Sequence, residues 1–497
     1  MNRIKPLLAG ILLSAQLATG LMAQAGIDKV KAQADKISQS TDLKHAQWGF
    51  VLMDATTGAV LHDVNGAATL VPASTLKTVT SGAALGILGE DYTFKTNLEH
   101  DGTIADGVLK GNVYIRGGGD PTLGSSRYSW GTDMKGVLAI WVEQLKKKGI
   151  RSIEGQVIGD AEVFEEGMLP ATWNWGDIGN YYGAGACGLS FIENTYEVFF
   201  KSNGKVGGPA DFLRTEPEIP GMQFINEMKT GAAGSGDNGY IYGAPFTDLR
   251  YLRGTIPAGG TEFSIKGSIP DPALFAAQCL KHALDSAGIA VAGKAETVRR
   301  LRLEGKYAAP ARTVIHVHQS PALKDILYWL NKKSINLYAE HLLKAVGYAK
   351  YRDGSVESGT KAVAEYWAAK GVDVGGMHLH DGSGLSRYNG VTPMQLTKML
   401  QVNAQQKYFD AFYNSLPIAG LSSDPGTMRS MCTNTAAANN VHAKSGFIAR
   451  VRCYTGYVST KSGRRLCFAM MANNYTCSNN AMRDMFDALM VTIAEMP

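Results

Sequence analysis

Residues 71–89 read VPASTLKTVTSGAALGILG. Val71-Pro72-Ala73-Ser74 opens a helix: Leu76, Val79, Ala83, Leu85, Ile87 and Leu88 supply an apolar face at helical spacing, and Gly89 stops it. Ser74 and Lys77 stand three residues apart at the start of this helix and share a face. A serine hydroxyl near neutral pH is a poor nucleophile and needs a base within hydrogen-bond reach. Lys77 can be that base only with a lowered pKa, which burial and a second ammonium nearby would produce. Alone the pattern is weak, because a capping Ser followed by a solvated Lys is common.

Outward from this helix, Gln47 to Asn65 shows two alternating runs about Thr56-Thr57-Gly58, which predicts a β-hairpin and makes this half α/β. From about Tyr92 to Gly305 the texture changes to short strands and Gly-rich turns, with helices at Lys135 to Lys148 and Ala273 to Ala287. Residues 204–260 are especially rich in Gly and read as a smaller nested module. A helical stretch returns at Leu323 to Gly347, broken near Lys332-Lys333-Ser334, and another follows at Ser358 to Lys370. The chain ends on strands at Val451 to Thr460 and Arg464 to Asn473, joined at Lys461-Ser462-Gly463, and on a helix from Ala481.

Two further short motifs carry chemistry. Ser334-Ile335-Asn336 sits in the helix break, where a hydroxyl can relay a proton and an amide can hold a substrate carbonyl. Lys444-Ser445-Gly446 opens a strand: the Lys supplies positive charge, the hydroxyl binds a terminal carboxylate, and Gly lets substrate lie along the edge. Chance produces each motif, and Lys461-Ser462-Gly463 repeats the third as a plain turn. It does not produce their joint order and settings.

The set S-x-x-K, S-x-N and K-[ST]-G resembles that of the penicillin-recognising acyl-transfer enzymes. Over about Trp48 to Asn474 the chain is similar to class C low-molecular-weight penicillin-binding proteins, the D-alanyl-D-alanine carboxypeptidase/endopeptidase family of peptidoglycan. Supporting stretches are Gly117 to Leu123, Trp173 to Asp177, Asn336 to Glu340, Asp381 to Arg387 and Leu416 to Gly420. The resemblance implies that Ser74 is acylated, Lys77 is its base, Ser334 and Asn336 relay protons and orient substrate, and Lys444 with Ser445 and Gly446 receives the carboxylate. It also implies an oxyanion hole from the N–H groups of Ser74 and Ile448. The family commonly has Thr where this chain has Ser445, so altered β-lactam or substrate preference is expected. Family members hold the free end of a diaminopimelate side chain, and the matching positions are Asp177, Tyr182 and Arg387.

Because Ser74 and Ser334 must meet, the resemblance implies a discontinuous catalytic domain, residues 26–91 and 313–497, with residues 92–312 inserted. The expected fold is α/β (α+β): an antiparallel sheet flanked by helices, of the penicillin-recognising transpeptidase/β-lactamase-like type, interrupted by a strand-rich insertion. Expected partners are peptidoglycan stem peptides and, as covalent inhibitors, β-lactams. No cofactor is expected.

Composition bounds the same reading. With 497 residues, 45% hydrophobic and 19% charged, the chain can bury a large core, which rules out intrinsic disorder. Residues 1–25 read as a secretory signal peptide: Arg3 and Lys5, an apolar run from Pro6 to Ala23, and small residues at Ala23-Gln24-Ala25. Removing them takes the net charge from +5 to +3, too weak to suggest nucleic acid, and leaves no expected membrane anchor. An exported protein of the periplasm or cell envelope is therefore expected. Six cysteines could pair in that setting, with Cys432 and Cys477 the favoured bridge and Cys279 and Cys467 read as core residues.

Rival readings are a serine β-lactamase-like hydrolase, which lacks here a Glu-x-x-Leu-Asn deacylation segment, and a catalytically idle wall-binding protein. His316-Val317-His318 and His378-Leu379-His380-Asp381 raise a metal hydrolase, against which stands the ordinary frequency of strand-edge histidines. No G-x-S-x-G elbow supports an α/β-hydrolase.

Overall fold

The computed structural model describes residues 24–128, 133–260 and 262–497. The expected leader, residues 1–25, lies outside them but for its last two residues, which open a helix over 24–38. Among the described residues no helix is long and apolar enough to cross a membrane. The chain groups into two compact units, the first from residues up to Ile87, Leu327–Ser334 and Val363–Pro497, the second from Leu88–Ile326 and Ile335–Ala362.

The first unit is built on a five-stranded antiparallel sheet in the order His442–Ile448, Val451–Ser459, Arg465–Asn473, Gln47–Asp54, Val60–Val64. The Gln47–Asp54 strand turns into Val60–Val64 as its alternation predicts. The Asp54 carboxylate accepts the N–H groups of Thr56 at 2.9 Å and Thr57 at 2.7 Å, and Gly58 takes the left-handed φ of 74° that the turn needs. The central strands are buried along nearly their whole length, because both faces of the sheet are covered. On one face Phe50, Leu52, Phe468 and Met470 pack with Val30 and Ile37 of the 24–38 helix and with Phe486, Leu489 and Ile493 of the C-terminal helix Asn479–Ala494. On the other face, the Tyr457 hydroxyl donates to the Leu400 carbonyl at 2.7 Å, holding the helix Pro393–Asn403. That helix starts on a reciprocal capping box between Thr392 and Gln395 with Pro at its first turn. Trp367, fully buried, donates to the Val79 carbonyl at 3.1 Å and so fixes the helix Leu76–Leu88.

The second unit contains a five-stranded sheet in the order Ala295–Thr297, Val157–Asp160, Val113–Arg116, Lys95–His100, Thr313–Gln319. Among the described residues three smaller sheets accompany it. Its main core joins Trp141 of the helix Met134–Lys147 to Phe191 and to Phe275 and Leu280 of the helix Pro272–Ser286. Asp271 caps the latter helix by accepting the Leu274 N–H at 3.0 Å. Residues 204–260 contribute strands to two different sheets: Ala210–Glu216 pairs with Thr195–Ser202, while Gln223–Asn226, Lys229–Gly231 and Asn238–Tyr242 all pair with Leu249–Pro257. Residues 313–326 and 335–362 group with this unit. Thr313–Gln319 hydrogen-bonds to Lys95–His100, and His341 of the helix Asn336–Tyr351 lies 2.8 Å from the Gly119 carbonyl and 2.9 Å from the Ser190 hydroxyl.

All six cysteines are free, which corrects the expected bridge between Cys432 and Cys477. The Cys432 thiol instead donates to Asp487 Oδ1 at 2.9 Å, and its backbone N–H reaches the same carboxylate. Polar surroundings had suggested a bridge; a carboxylate of the last helix satisfies the thiol. Cys467 is buried in the core, and Cys279 packs half-buried against the apolar core of the second unit.

Candidate active site

Ser74 stands in a single tight turn, Ala73–Thr75, that leads into the helix Leu76–Leu88. The preceding Ala73 has φ +46°, a left-handed conformation that an L side chain adopts only under constraint. One helical turn on, Lys77 is fully buried and donates to Ser74 Oγ at 3.0 Å and to the Ser383 carbonyl at 2.7 Å. The spacing that predicted a shared face thus produces a hydroxyl and an amine in direct hydrogen-bond contact.

The Ser383 carbonyl belongs to the stretch Asp381 to Arg387, in which Ser383 itself carried no expected role. Asp381, 1% exposed, accepts the N–H groups of Gly384 at 2.7 Å and Ser386 at 2.6 Å and the Asn389 amide at 2.7 Å. Thr80 of the Ser74 helix donates to the Gly382 carbonyl at 2.7 Å. Gly384, at φ +82°, passes so close to the nucleophile turn that a Cβ there would lie 1.9 Å from the Ala73 oxygen. The Asp-Gly-Ser-Gly run is therefore a backing plate for the turn that carries Ser74.

Ser334 ends the helix Leu323–Lys333 with φ +56°, and this left-handed residue makes the break at which its half-buried hydroxyl stands. Lys444, fully buried, donates to Ser334 Oγ at 2.9 Å. Burial first, and then the nearby charge of Lys77, hold the Lys444 ammonium well below its ordinary pKa. Two amines and two hydroxyls, Ser74 with Lys77 and Ser334 with Lys444, thus stand paired within the first unit.

Lys444, Ser445 and Gly446 lie on the edge strand His442–Ile448. Gly446 is required by proximity: a Cβ there would be 2.7 Å from the Pro72 oxygen and 3.2 Å from the Ser74 nitrogen. The Ala443 N–H donates to the Pro417 carbonyl, away from the neighbouring strand, and the register with Val451–Ser459 is unbroken through Ile448 opposite Val451. Backbone groups alternate sides along a strand, so the N–H of Phe447 points to the free edge and that of Ile448 toward the neighbouring strand. The edge donor beside Ser74 is therefore Phe447, where the sequence had pointed to Ile448. Ser445 Oγ lies 2.7 Å from Thr427 Oγ1, a neighbour that nothing in the sequence announced.

The remaining expected site residues are distributed as follows. Asn336 and the pair Asp177 and Tyr182 belong to the second unit, where the Asn336 amide donates to the Tyr182 carbonyl at 2.8 Å. Burial, and then the Asp177 carboxylate, raise the Tyr182 pKa, so that phenol stays protonated. Arg387 belongs to the first unit, where its exposed guanidinium donates to the Ala449 carbonyl at 3.2 Å.

Comparison with known proteins identifies the family. The sequence profile of the D-Ala-D-Ala carboxypeptidase 3 (S13) family matches residues 30–496. The chain is 30% identical, over an alignment of 504 residues covering 99% of it and 89% of the relative, to a D-alanyl-D-alanine carboxypeptidase of Actinomadura sp. (strain R39). It is 26% identical to the D-alanyl-D-alanine carboxypeptidase DacB of Haemophilus influenzae, covering 86% of this chain and 85% of that one. The crystal structure of penicillin binding protein 4 (dacB) from Haemophilus influenzae shares the fold, with a TM-score of 0.75 at 24% identity over 90% of this chain and 95% of that one. Residues and comparisons together show that the chain belongs to the D-Ala-D-Ala carboxypeptidase 3 (S13) family, as a serine-type peptidase and a low-molecular-weight penicillin-binding protein.

Proposed function

We propose that this D-Ala-D-Ala carboxypeptidase and/or D,D-endopeptidase works through an acyl-enzyme on Ser74, with Lys77 as its base. The observation that carries the reading is the 3.0 Å contact between Lys77 Nζ and Ser74 Oγ at a fully buried amine. Lys77 takes the Ser74 proton as Oγ attacks the carbonyl of the penultimate D-Ala. The N–H groups of Ser74 and Phe447 receive the developing oxyanion. The C–N bond then breaks as Ser334 passes its proton to the leaving nitrogen and is reprotonated with the proton Lys77 took from Ser74, which leaves Lys77 neutral again and the acyl group on Ser74 as an ester. Water hydrolyses that ester in the second step, returning a proton to Ser74 Oγ.

Ser334 suits the relay because Lys444 occupies its oxygen as acceptor and leaves its own proton to donate. Lys444, Ser445 and Gly446 form the site for the carboxylate of the departing D-Ala. As the resemblance implies, Asn336 is the substrate-orienting amide, Asp177 with Tyr182 suits an ammonium with its methylenes, and Arg387 suits a carboxylate. Stem peptides of peptidoglycan are the substrates, β-lactams acylate the same serine, and the enzyme acts after export in the periplasm or cell envelope. The relative of the same family from Haemophilus influenzae is known in complex with a β-lactam, which supports the inhibitor part.

The test is labelling with a fluorescent penicillin together with mass analysis of products from purified pentapeptide and cross-linked muropeptides. Wild type should take the label and release D-Ala, cleave cross-links, or both, and Ser74→Ala should do neither while keeping its melting temperature. Normal labelling of Ser74→Ala would overturn the assignment. Rapid turnover of penicillin in place of a persistent label would favour a β-lactamase.

A further inference from the structure

The contact between Ser445 and Thr427 points beyond the three motifs. Thr427 is exposed and Ser445 half-buried, and their oxygens are 2.7 Å apart. Two hydroxyls joined by one hydrogen bond hold two protons and use one, so the pair keeps a proton to donate outward. When Thr427 donates to Ser445, the Ser445 proton is that free donor, and the bond it receives polarises it. Serine lacks the second Cβ substituent that restricts the χ1 of threonine, so a hydroxyl at position 445 needs restraint from outside. Thr427 supplies that restraint from a turn that is itself fixed. Asp424 accepts the Gly426 N–H at 2.7 Å, a Cβ on Gly426 would lie 2.3 Å from Asp424 Oδ1, and Asp424 pairs with Lys332, both almost fully buried. Lys332 also donates to the Leu416 carbonyl at 2.6 Å and lies two residues before Ser334. The turn that carries Thr427 and the helix end that carries Ser334 are thus tied by one buried ion pair.

We propose that Thr427 is a positioning residue of the carboxylate site: it aims the Ser445 hydroxyl at the α-carboxylate of the C-terminal D-residue, and at the equivalent carboxylate of a β-lactam. This rests on the acyl-enzyme reading of Ser74 above.

The experiment measures second-order acylation by benzylpenicillin and by its methyl ester, which lacks the anionic group, in wild type, Thr427→Val, Thr427→Ser, Ser445→Thr and the double variant Thr427→Val/Ser445→Thr. Thr427→Val should slow acylation by the acid about tenfold, the scale of one hydrogen bond to a charged group, and leave the ester within about twofold. Thr427→Ser should restore the rate. In the Ser445→Thr background, where the methyl group restrains the hydroxyl, the loss should shrink below about threefold, a coupling that independent sites do not show. With a D-Ala-D-Ala peptide, Thr427→Val should raise KM more than it lowers kcat. Equal losses on acid and ester, additive effects of the two substitutions, or an unchanged Thr427→Val enzyme would each overturn the inference while wild type still labels. A wild type that takes no label overturns the acyl-enzyme reading and this inference with it.

Discussion

The buried Nζ of Lys77 lies 2.7 Å from the backbone carbonyl of Ser383, 306 positions away in the chain. That carbonyl fixes where the amine sits relative to Ser74, and Asp381 fixes the carbonyl by gathering three donors of its own loop. Asp381→Ala removes the acceptor from donors inside the protein, each left at a cost of about 1–3 kcal/mol. The variant should melt at lower temperature, and its acylation by penicillin should slow about tenfold or more as the amine loses its fixed position. Thermal melting and stopped-flow labelling check both, and an unchanged acylation rate would show that the loop plays no part in setting Lys77.

Gly446 offers a test that leaves the charges alone. A methyl group there would meet the Pro72 oxygen at 2.7 Å and the Thr75 nitrogen at 3.0 Å, forcing the edge strand and the nucleophile turn apart. A displacement near 1 Å at a reacting centre costs about a hundredfold in rate. Gly446→Ala should therefore lose roughly that much acylation while its far-ultraviolet circular dichroism stays that of wild type. Full activity would mean that the turn and the strand yield without cost.

How far the sequence reaches can be judged residue by residue. Ser74 beside Lys77, and the helix break at Ser334, are legible because spacing within one helix dictates proximity. Ser383 is not, since its contribution is a backbone carbonyl that every residue carries. Thr427 meets Ser445 across a fold-dependent distance that no local pattern encodes. The exchange of Ile448 for Phe447 has the same root: which N–H faces the free edge depends on hydrogen-bond register, known only once the neighbouring strand is placed. The hairpins around Gly58 and Gly463 are read directly from their turn residues. The pairing of Thr313–Gln319 with Lys95–His100 joins segments more than two hundred residues apart and lies beyond local reading.

The ion pair between Lys332 and Asp424 is nearly sealed from water, at 2% and 3% side-chain exposure. Removing one partner leaves the other charge buried and uncompensated, which costs about 3–5 kcal/mol. Asp424→Ala should show that loss in urea denaturation. Replacing both, as Lys332→Met with Asp424→Leu, should recover much of it, because well-packed apolar groups escape the desolvation penalty. If the double variant is as unstable as the single one, the pair contributes through its hydrogen bonds to Leu416 and Gly426 more than through charge.

His341 gives the second unit a pH dependence whose sign follows from its surroundings. The imidazole is fully buried, with Nδ1 against the Gly119 carbonyl and Nε2 against the Ser190 hydroxyl, an arrangement that satisfies the neutral ring with its proton on Nδ1. Burial pushes its pKa down to about 3 from the ordinary 6.5. Between those values the unfolded chain binds a proton that the folded chain refuses, so stability is full above about pH 6.5 and is lost as pH falls toward 3. From pH 7.5 to pH 5 this one group should remove about 2 kcal/mol. Asp120 works in the opposite direction: burial raises its pKa to about 6, the folded state takes up a proton first, and stability is gained as pH falls through that value. A wild-type profile alone therefore mixes the two, and the variants separate them. His341→Gln, which keeps a donor and an acceptor, should lose about 2 kcal/mol less than wild type over the same interval, whereas Asp120→Asn should lose more than wild type. Denaturation in urea at the two pH values measures both, and a His341→Gln protein as acid-sensitive as wild type would show that the buried ring accepts a proton without opening the fold.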